Sequence, residues 1–301
     1  VFAKSINSKP LKQALTYLFR CVVDFGFFKI LDFTLNDMLN MNAMLVYIFS
    51  VILIFVFNLY FDRLIVFDNT EKAERNGNTK LYRSFFENRF VLLSMCLATI
   101  GILFVFMIFK MFPFGDTTVL RMDLYHQYGP LFVELYDRIT DFKSFLYSWE
   151  SGGGSSFLGN YFNYLSSPFS FLIFLFDRDQ IGYAITFLVI AKGVVSAGTF
   201  AYFLKKSFDA HSYVSAAFGV FYAFSGYFLA YYWNIMWVDG MIWVPLVALG
   251  IEDIINNGKC KRYILSLSVL LFSSYYIGYM TCIFSVLYFF VYFIANKDFS
   301  A

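Results

Sequence analysis

The stretch FVLLSMCLATIGILFVFMIF (90–109) contains twenty residues and no charged side chain. About twenty apolar residues in a helix cross the hydrocarbon core of a bilayer, and the helix then pairs its backbone polar groups internally. The stretch therefore predicts a transmembrane helix. By the same criterion we place further spans at 14–33, 43–61, 181–204, 213–232 and 240–255.

The apolar block 263–295 is too long for one span and is polar near 273–279, so it predicts two short helices that turn at YYIGY. With this pair the total reaches about eight transmembrane helices. Hydrophobic residues make up 59% of the chain and charged residues 15%, whereas soluble domains are about one quarter charged. We therefore expect an all-α integral membrane protein.

Lysine and arginine are unevenly distributed among the connecting segments. They occur in 1–13, 62–89, 205–212 and 256–262, and they are absent from 34–42, 233–239 and 275–279. Because basic loops remain in the cytoplasm, this alternation predicts that the long loop 110–180 faces outward. The short loops 233–240 (WNIMWVDG) and 273–280 (SSYYIGYM) are expected on the same outer side.

The outer loop concentrates polar side chains in PFGDTTVLRMDLYHQYGPLF (113–132). Within twelve residues it contains Asp116, Arg121, Asp123, His126 and Gln127. Titratable groups gathered in one loop of a membrane protein indicate a functional site. Asp123 has a structural alternative, as a helix N-cap before LYHQY.

A second helix is expected in this loop. From Pro130, apolar residues recur at helical spacing, namely Leu131, Leu135, Ile139, Phe142 and Leu146. Charged residues occupy the other side, namely Glu134, Asp137, Arg138 and Asp141. The pattern predicts an amphipathic helix that lies in the outer membrane interface; a plain packing helix is the alternative.

The other outer segments supply further candidate site residues. We expect one external cavity lined by Asp123, Trp233, Asn234, Trp237, Asp239, Tyr275 and Tyr276. The two tryptophans either anchor the interface or stack on sugar rings. Asp239 is either a second site carboxylate or a cap for the next helix.

Lys192 lies inside an apolar span, where an ammonium group is costly without an anionic partner. The sequence leaves two partners open, a lipid phosphate or an internal carboxylate. The four cysteines are far apart and show no metal-ligand spacing, and there is no nucleotide-binding motif. We expect no required cofactor and no nucleic-acid partner, leave a divalent metal open, and expect a substrate delivered through the lipid bilayer, such as a lipid-linked sugar.

Four motifs follow one another along the chain, PFGDTTVLRMDLYHQY, YSWESGGGSSFLGNYFNYLSSPFSFL, AFSGYFLAYYWNIMWVDGMIWVPLVALGIE and YYIGYM. Over roughly 90–296 they resemble the YfhO family of bacterial membrane proteins. That family looks like the GT-C glycosyltransferases, multi-spanning enzymes that use polyprenyl-phosphate sugars. The resemblance implies a catalytic carboxylate in the first outer loop, which Asp123 matches, with Asp116 as the fallback. Gln127 and Tyr128 match the family QY and are implied to shape the acceptor pocket.

The first part of the chain resembles half of a GtrA-family unit, through YLFRCVVDFGFFKIL and FNLYFDRLIVF. Proteins of that family are associated with flipping polyprenyl-phosphate sugars. We therefore divide the chain into a GtrA-like half-module (1–67), a cytoplasmic basic linker (68–89) and a GT-C-like membrane domain (90–301). Family members are much longer, so we expect this chain to be a fragment.

Together these features predict an inverting glycosyltransferase of the bacterial plasma membrane. It would transfer a polyprenyl-phosphate-linked sugar to a cell-envelope polymer of the teichoic-acid type, on the extracytoplasmic side. A cation near the leaving phosphate would stabilise the developing charge, and Arg121 and Lys192 are the candidates. A transporter or flippase of lipid-linked sugars, and a non-catalytic envelope-assembly protein, remain as alternatives.

Overall fold

The computed structural model describes residues 88–210 and 212–296. These residues belong to two units, Phe106–Thr117 to one and 88–105 together with 118 onward to the other. The predicted spans 14–33 and 43–61, the GtrA-like module 1–67 and nearly all of the linker 68–89 lie outside the described residues.

Across these two ranges the regular structure is helical, and no β-strand is formed. The helices are α1 Arg89–Ile108, α2 Gly129–Thr140, α3 Phe157–Asn160, α4 Ile181–Ser207, α5 Tyr213–Ala223, α6 Gly226–Tyr231, α7 Ile235–Asn257, α8 Lys261–Ser273 and α9 Tyr275–Asn296. Two π-helical turns, Leu124–Tyr128 and Tyr161–Leu165, and two 3-10 helices, Pro168–Leu175 and Arg178–Gln180, complete the outer-loop segment.

Within the part of the chain that the structure describes, five stretches are long and apolar enough to cross a membrane. They are Arg89–Ile108, Arg178–Ser207, Tyr213–Tyr231, Ile235–Asn257 and Tyr275–Asn296. The predicted spans 90–109, 181–204 and 213–232 coincide with the first three. The third is interrupted between α5 and α6, where Phe224 and Ser225 leave helical geometry.

Two segments predicted as short outer loops are helical instead. Helix α7 begins at Ile235 rather than near 240, so most of WNIMWVDG forms its first turns. The span expected at 240–255 placed Asp239 in the preceding loop, but Asp239 pairs with a lysine inside the protein and lies within the helix. Likewise the helical geometry is interrupted at Ser274, whose backbone is extended (φ −158°, ψ 101°). YYIGY therefore begins α9, which alone is long enough to span a bilayer.

Helices α4 and α7 form the centre of the larger unit. About 67% and 72% of their apolar stretches are buried, against 22% for α1 and 17% for α9. Helix α7 packs against α4, α8 and α9, and α4 packs against α5. Helix α1 joins this group through small residues, since Ala98, Ala197 and Ala223 form one buried cluster. Small residues allow close helix approach in membrane proteins.

Helix α2 contains Pro130 in its first turn, as predicted, but it ends at Thr140. Its expected polar face is only partly solvated, because Arg138 and Glu134 form a buried ion pair at 2.6 Å, whereas Asp141 is exposed. The guanidinium also donates to the carbonyls of Ser144 and Tyr147, so it fastens the chain that follows the helix. Phe142 and Leu146, which were expected on the apolar face, are 94% and 69% exposed. The position of α2 in a membrane interface stays a prediction.

Candidate functional site

A buried ion pair joins the two central helices. Lys192 Nζ of α4 lies 2.5 Å from Asp239 Oδ2 of α7 and donates a second bond to the Ile235 carbonyl at 2.9 Å. The other carboxylate oxygen of Asp239 accepts from Ser167 Oγ at 2.8 Å. Both charges are thus satisfied by protein groups, as a low-dielectric interior requires.

This arrangement decides between the partners that the sequence left open for Lys192. The partner is an internal carboxylate, Asp239, and both side chains are almost fully buried. Asp239 lies within α7, whereas the residue at the helix N-cap is Asn234, which makes no side-chain capping bond. Asp239 therefore does not act as a cap.

Tyr128 connects the π-turn of the outer loop to the start of α7. Its hydroxyl donates to Asn234 Oδ1 at 2.7 Å, and its ring meets Tyr164 edge-on with centroids 5.7 Å apart. Burial raises the pKa of the Tyr128 phenol above its ordinary range, and the negative charges of Asp123 and Asp239 act in the same direction. The phenol is therefore within electrostatic reach of both carboxylates, which the sequence predicted to share a cavity.

Asp123 begins the π-turn, with its backbone in the right-handed helical region (φ −61°, ψ −28°) and no side-chain capping bond. The alternative role of Asp123 as a capping residue is therefore not fulfilled. Its side chain is exposed, and no residue of the described ranges pairs with its carboxylate. The turn itself is anchored, because Leu124 and Tyr128 are completely buried.

Arg121 precedes the π-turn, and His126 and Gln127 lie within it. Arg121 is exposed, and its guanidinium carbon lies 4.8 Å from the centroid of the Tyr232 ring, at the junction of α6 and α7. His126 is exposed and packs its ring edge-on against Tyr125, while Gln127 is half-buried. Arg121 is thus a cation held beside the turn and open to solvent.

Asp116 belongs to the compact unit Phe106–Thr117 and is described only within it. Its side chain is exposed. Inside that unit, Thr117 Oγ1 donates to the Lys110 carbonyl at 2.6 Å and closes a tight turn around Asp116.

An aromatic cluster surrounds the first turns of α7. The ring of Trp237 lies 5.5 Å from Tyr231 and 6.0 Å from Tyr276 of α9. The indole N–H of Trp237 is buried without a partner among the described residues, although a buried indole N–H usually finds one. Trp233, by contrast, donates its indole N–H to the Ala230 carbonyl at 2.6 Å. Tyr275, the first residue of α9, is exposed.

Three residues make contacts that were not predicted from the sequence. Ser167 lies in an ordinary-looking SSP turn, and nothing local indicates its bond to Asp239. Glu134 and Arg138 do carry a readable signal, because opposite charges four residues apart on a helix commonly pair. Among the described residues no group of three or more His, Cys, Asp or Glu side chains is arranged to hold a metal.

Comparison with known proteins gives a family for this chain. Residues 94–301 match the family described as "Bacterial membrane protein YfhO". A relative from Bacillus subtilis (strain 168), named "Uncharacterized protein YfhO", is 30% identical over 173 residues, which cover 51% of this chain and 19% of that protein. The chain thus spans about a fifth of the length of that relative. No solved structure matches this chain. Since the family match covers more than half of the sequence, the chain belongs to the YfhO family of bacterial membrane proteins.

Proposed function

We propose that this chain carries the outer-face catalytic loop of a membrane glycosyltransferase, with Asp123 as the general base. The donor would be a polyprenyl-phosphate-linked sugar and the acceptor a hydroxyl of a cell-envelope polymer of the teichoic-acid type. The observation that carries the proposal is the state of Asp123. Its carboxylate is exposed and unpaired among the described residues, on a turn whose two ends are buried.

The reaction follows from the chemistry of the groups. The Asp123 carboxylate removes the proton from an acceptor hydroxyl while that oxygen attacks the anomeric carbon from the side opposite the phosphate. The new carbon–oxygen bond forms as the bond to the phosphate oxygen breaks, through an oxocarbenium-like state. The lipid phosphate leaves with the electron pair. It needs no strong acid, and a nearby cation stabilises its charge.

Arg121 is the better of the two candidate cations. It is exposed, two residues before Asp123, and its guanidinium is oriented by the Tyr232 ring. Lys192 is held by Asp239 and the Ile235 carbonyl, so its charge is already neutralised. In this proposal Lys192 and Asp239 position α4 against α7, and the rings of Trp233, Trp237 and Tyr276 offer stacking faces to a sugar.

The proposal places the reaction on the extracytoplasmic side of the bacterial plasma membrane. Its support is the distribution of lysine and arginine. Lys205 and Lys206 lie at the C-terminal end of α4, and the KCKR segment 259–262 follows the C-terminal end of α7. The outer-loop segment with Asp123 and Tyr128 instead precedes the N-terminal end of α4. The polyprenyl carrier and the bilayer are then the partners, and the GtrA-like segment 1–67 would contribute to donor delivery.

The decisive experiment compares Asp123→Asn with Asp116→Asn and Asp141→Asn in the full-length natural protein. Sugar incorporation into envelope polymer is measured in membranes that contain equal amounts of each variant. Loss of a general base lowers the rate by about 10²–10⁴-fold, so Asp123→Asn should abolish incorporation while the exposed Asp141→Asn leaves it unchanged. If Asp123→Asn works at the wild-type rate, the assignment fails; loss in Asp116→Asn alone would transfer the role to Asp116.

A transport function is the second candidate, and the buried ion pair favours it. Ionisable pairs inside membrane spans often mark transport pathways. A transporter would tolerate Asp123→Asn and fail when Lys192 and Asp239 are both replaced by apolar residues. A glycosyltransferase supplied with donor on the outer face would show the reverse, so the two variants separate the functions.

A further inference from the structure

A groove of about 550 Å³ opens between the outer-loop segment and the α8–α9 break. One wall is formed by Gly159, Asn160, Phe162 and Asn163, and the other by Leu271, Phe272 and Tyr275. The groove is shallow and largely open to solvent, unlike enclosed small-molecule sites, which bury most of their ligand.

The two walls are joined by direct contacts. Ser166 Oγ donates to the Phe272 carbonyl at 2.5 Å, and the Phe162 and Phe272 rings meet edge-on with centroids 5.2 Å apart. On the outer-loop side, Ser156 accepts from the Gly159 amide and caps α3. The two walls of the groove are therefore linked to each other by direct contacts.

Its lining favours neutral polar ligands over charged ones. None of the residues that form the two walls is charged, whereas phosphate sites use arginine or lysine. The side-chain amides of Asn160 and Asn163 bond to no other described residue, and each offers two N–H donors and one carbonyl acceptor. Tyr275 is 62% exposed and adds an aromatic face and a hydroxyl.

We propose that this groove binds a neutral sugar ring. The amides of Asn160 and Asn163 hydrogen-bond to ring hydroxyls, and the face of Tyr275 packs against the apolar C–H side of the ring. Whether this sugar belongs to a donor lipid or to an acceptor polymer depends on the proposed function. The binding chemistry of the groove does not depend on it.

The groove is connected to the candidate site through a single turn. Asn163 is adjacent to Tyr164, whose ring contacts Tyr128, and Tyr128 donates to Asn234. A sugar in the groove would therefore lie beside the turn that carries Tyr164.

Binding is tested on the full-length protein in phosphatidylcholine nanodiscs, because glycoside detergents would compete. Saturation-transfer NMR is recorded with the methyl glycosides of glucose, galactose and N-acetylglucosamine, and with methyl phosphate and octanol for comparison. The groove variants are Tyr275→Ala and the pair Asn160→Leu with Asn163→Leu. The matched control is Tyr279→Ala, one turn further along α9, 66% exposed and outside the groove.

We expect at least one glycoside to bind, and both groove variants to weaken that binding about tenfold, since each amide hydrogen bond contributes a several-fold effect. Tyr279→Ala should bind like the wild type, and unfolding temperatures should be equal. The proposal is overturned if no glycoside binds, if all variants bind equally, or if octanol displaces the sugar and itself depends on Tyr275.

Measuring glycoside binding in Asp123→Asn as well distinguishes failure of the groove proposal from failure of the proposed function. Glycoside binding that persists in Asp123→Asn while transfer is lost supports both proposals. Groove-dependent binding in a protein that transfers no sugar leaves the groove standing and refutes the glycosyltransferase. Where transfer occurs, an increase in KM for the acceptor alone in Tyr275→Ala assigns the groove to the acceptor, and an increase for the donor alone assigns it to the donor.

Discussion

Lys192 Nζ and Asp239 Oδ2 lie 2.5 Å apart, and their side chains are 2% and 0% exposed. The pair links the middle of α4 to the second turn of α7, and Ser167 ties the outer-loop segment to the same carboxylate. One buried charge pair therefore fixes three parts of the chain that come together around the candidate site.

Breaking this pair on one side should be strongly destabilising. Lys192→Met leaves the Asp239 carboxylate buried without its cation, which costs about 3–5 kcal/mol. Replacing both residues, as Lys192→Met with Asp239→Leu, removes the uncompensated charge and should restore much of the loss. Unfolding free energies of the single and double variants in one detergent give the coupling.

An exposed ion pair of similar length provides the control. Arg178 and Asp137 are 2.6 Å apart, but Arg178 is 60% exposed, and exposed pairs contribute about 0–1 kcal/mol. Arg178→Met should therefore change the unfolding free energy far less than Lys192→Met. Equal losses in the two variants would mean that burial does not govern the Lys192–Asp239 pair.

The Arg178–Asp137 pair predicts a pH dependence at the acidic end. The hydrogen bond from Arg178 lowers the pKa of Asp137 below its ordinary value, which is about 3.9 in an unfolded chain. Because the folded-state pKa is the lower one, the stabilisation is present above about pH 4 and is lost as pH falls through the folded-state pKa.

The measurement compares the wild type with Arg178→Gln across this range. The difference in unfolding temperature between them should be constant from neutral pH to about pH 5 and shrink towards zero below the ordinary pKa of an aspartate, about 3.9. A difference that persists unchanged to lower pH would show that Arg178 stabilises the protein by packing and not through the Asp137 charge.

The sequence predicted some of these features and not others, for physical reasons. Apolar length alone located α1 and α4, because a bilayer imposes that length whatever the neighbours are. The start of α7 and the Lys192–Asp239 pair depend on a contact between residues 47 positions apart, and no local pattern records such a contact. Asp239 consequently looked like a loop residue until its partner was known.

The hydrogen bond from Tyr128 to Asn234 predicts a specific loss on removal of one oxygen. Tyr128→Phe keeps the buried ring but leaves Asn234 Oδ1 without its donor, and Asn234 is only 8% exposed. An unsatisfied buried acceptor costs about 1–3 kcal/mol, so the unfolding free energy should fall by that amount.

Tyr125→Phe is the matched control for this change. Tyr125 lies in the same π-turn but is 60% exposed, and its hydroxyl bonds to none of the described residues. Its loss should leave stability within about 0.5 kcal/mol of the wild type, as is usual for surface substitutions. Similar effects of the two substitutions would argue against the Tyr128–Asn234 bond as the anchor of the turn.

The close approach of α5 to α1 and α4 predicts that Gly219 tolerates no side chain. A Cβ at this position would lie 2.6 Å from the Ala197 carbonyl oxygen and would also collide with Ser94 Oγ. Overpacking of this kind costs about 1–3 kcal/mol, more than the 0.5–1 kcal/mol or so by which alanine favours a helix over glycine. Gly219→Ala should therefore lower the unfolding free energy, whereas Gly226→Ala, where a Cβ meets nothing within 4 Å, should leave it unchanged or raise it slightly. If Gly219→Ala were as stable as Gly226→Ala in the same membrane mimetic, α5 would have to pack less closely than this structure has it.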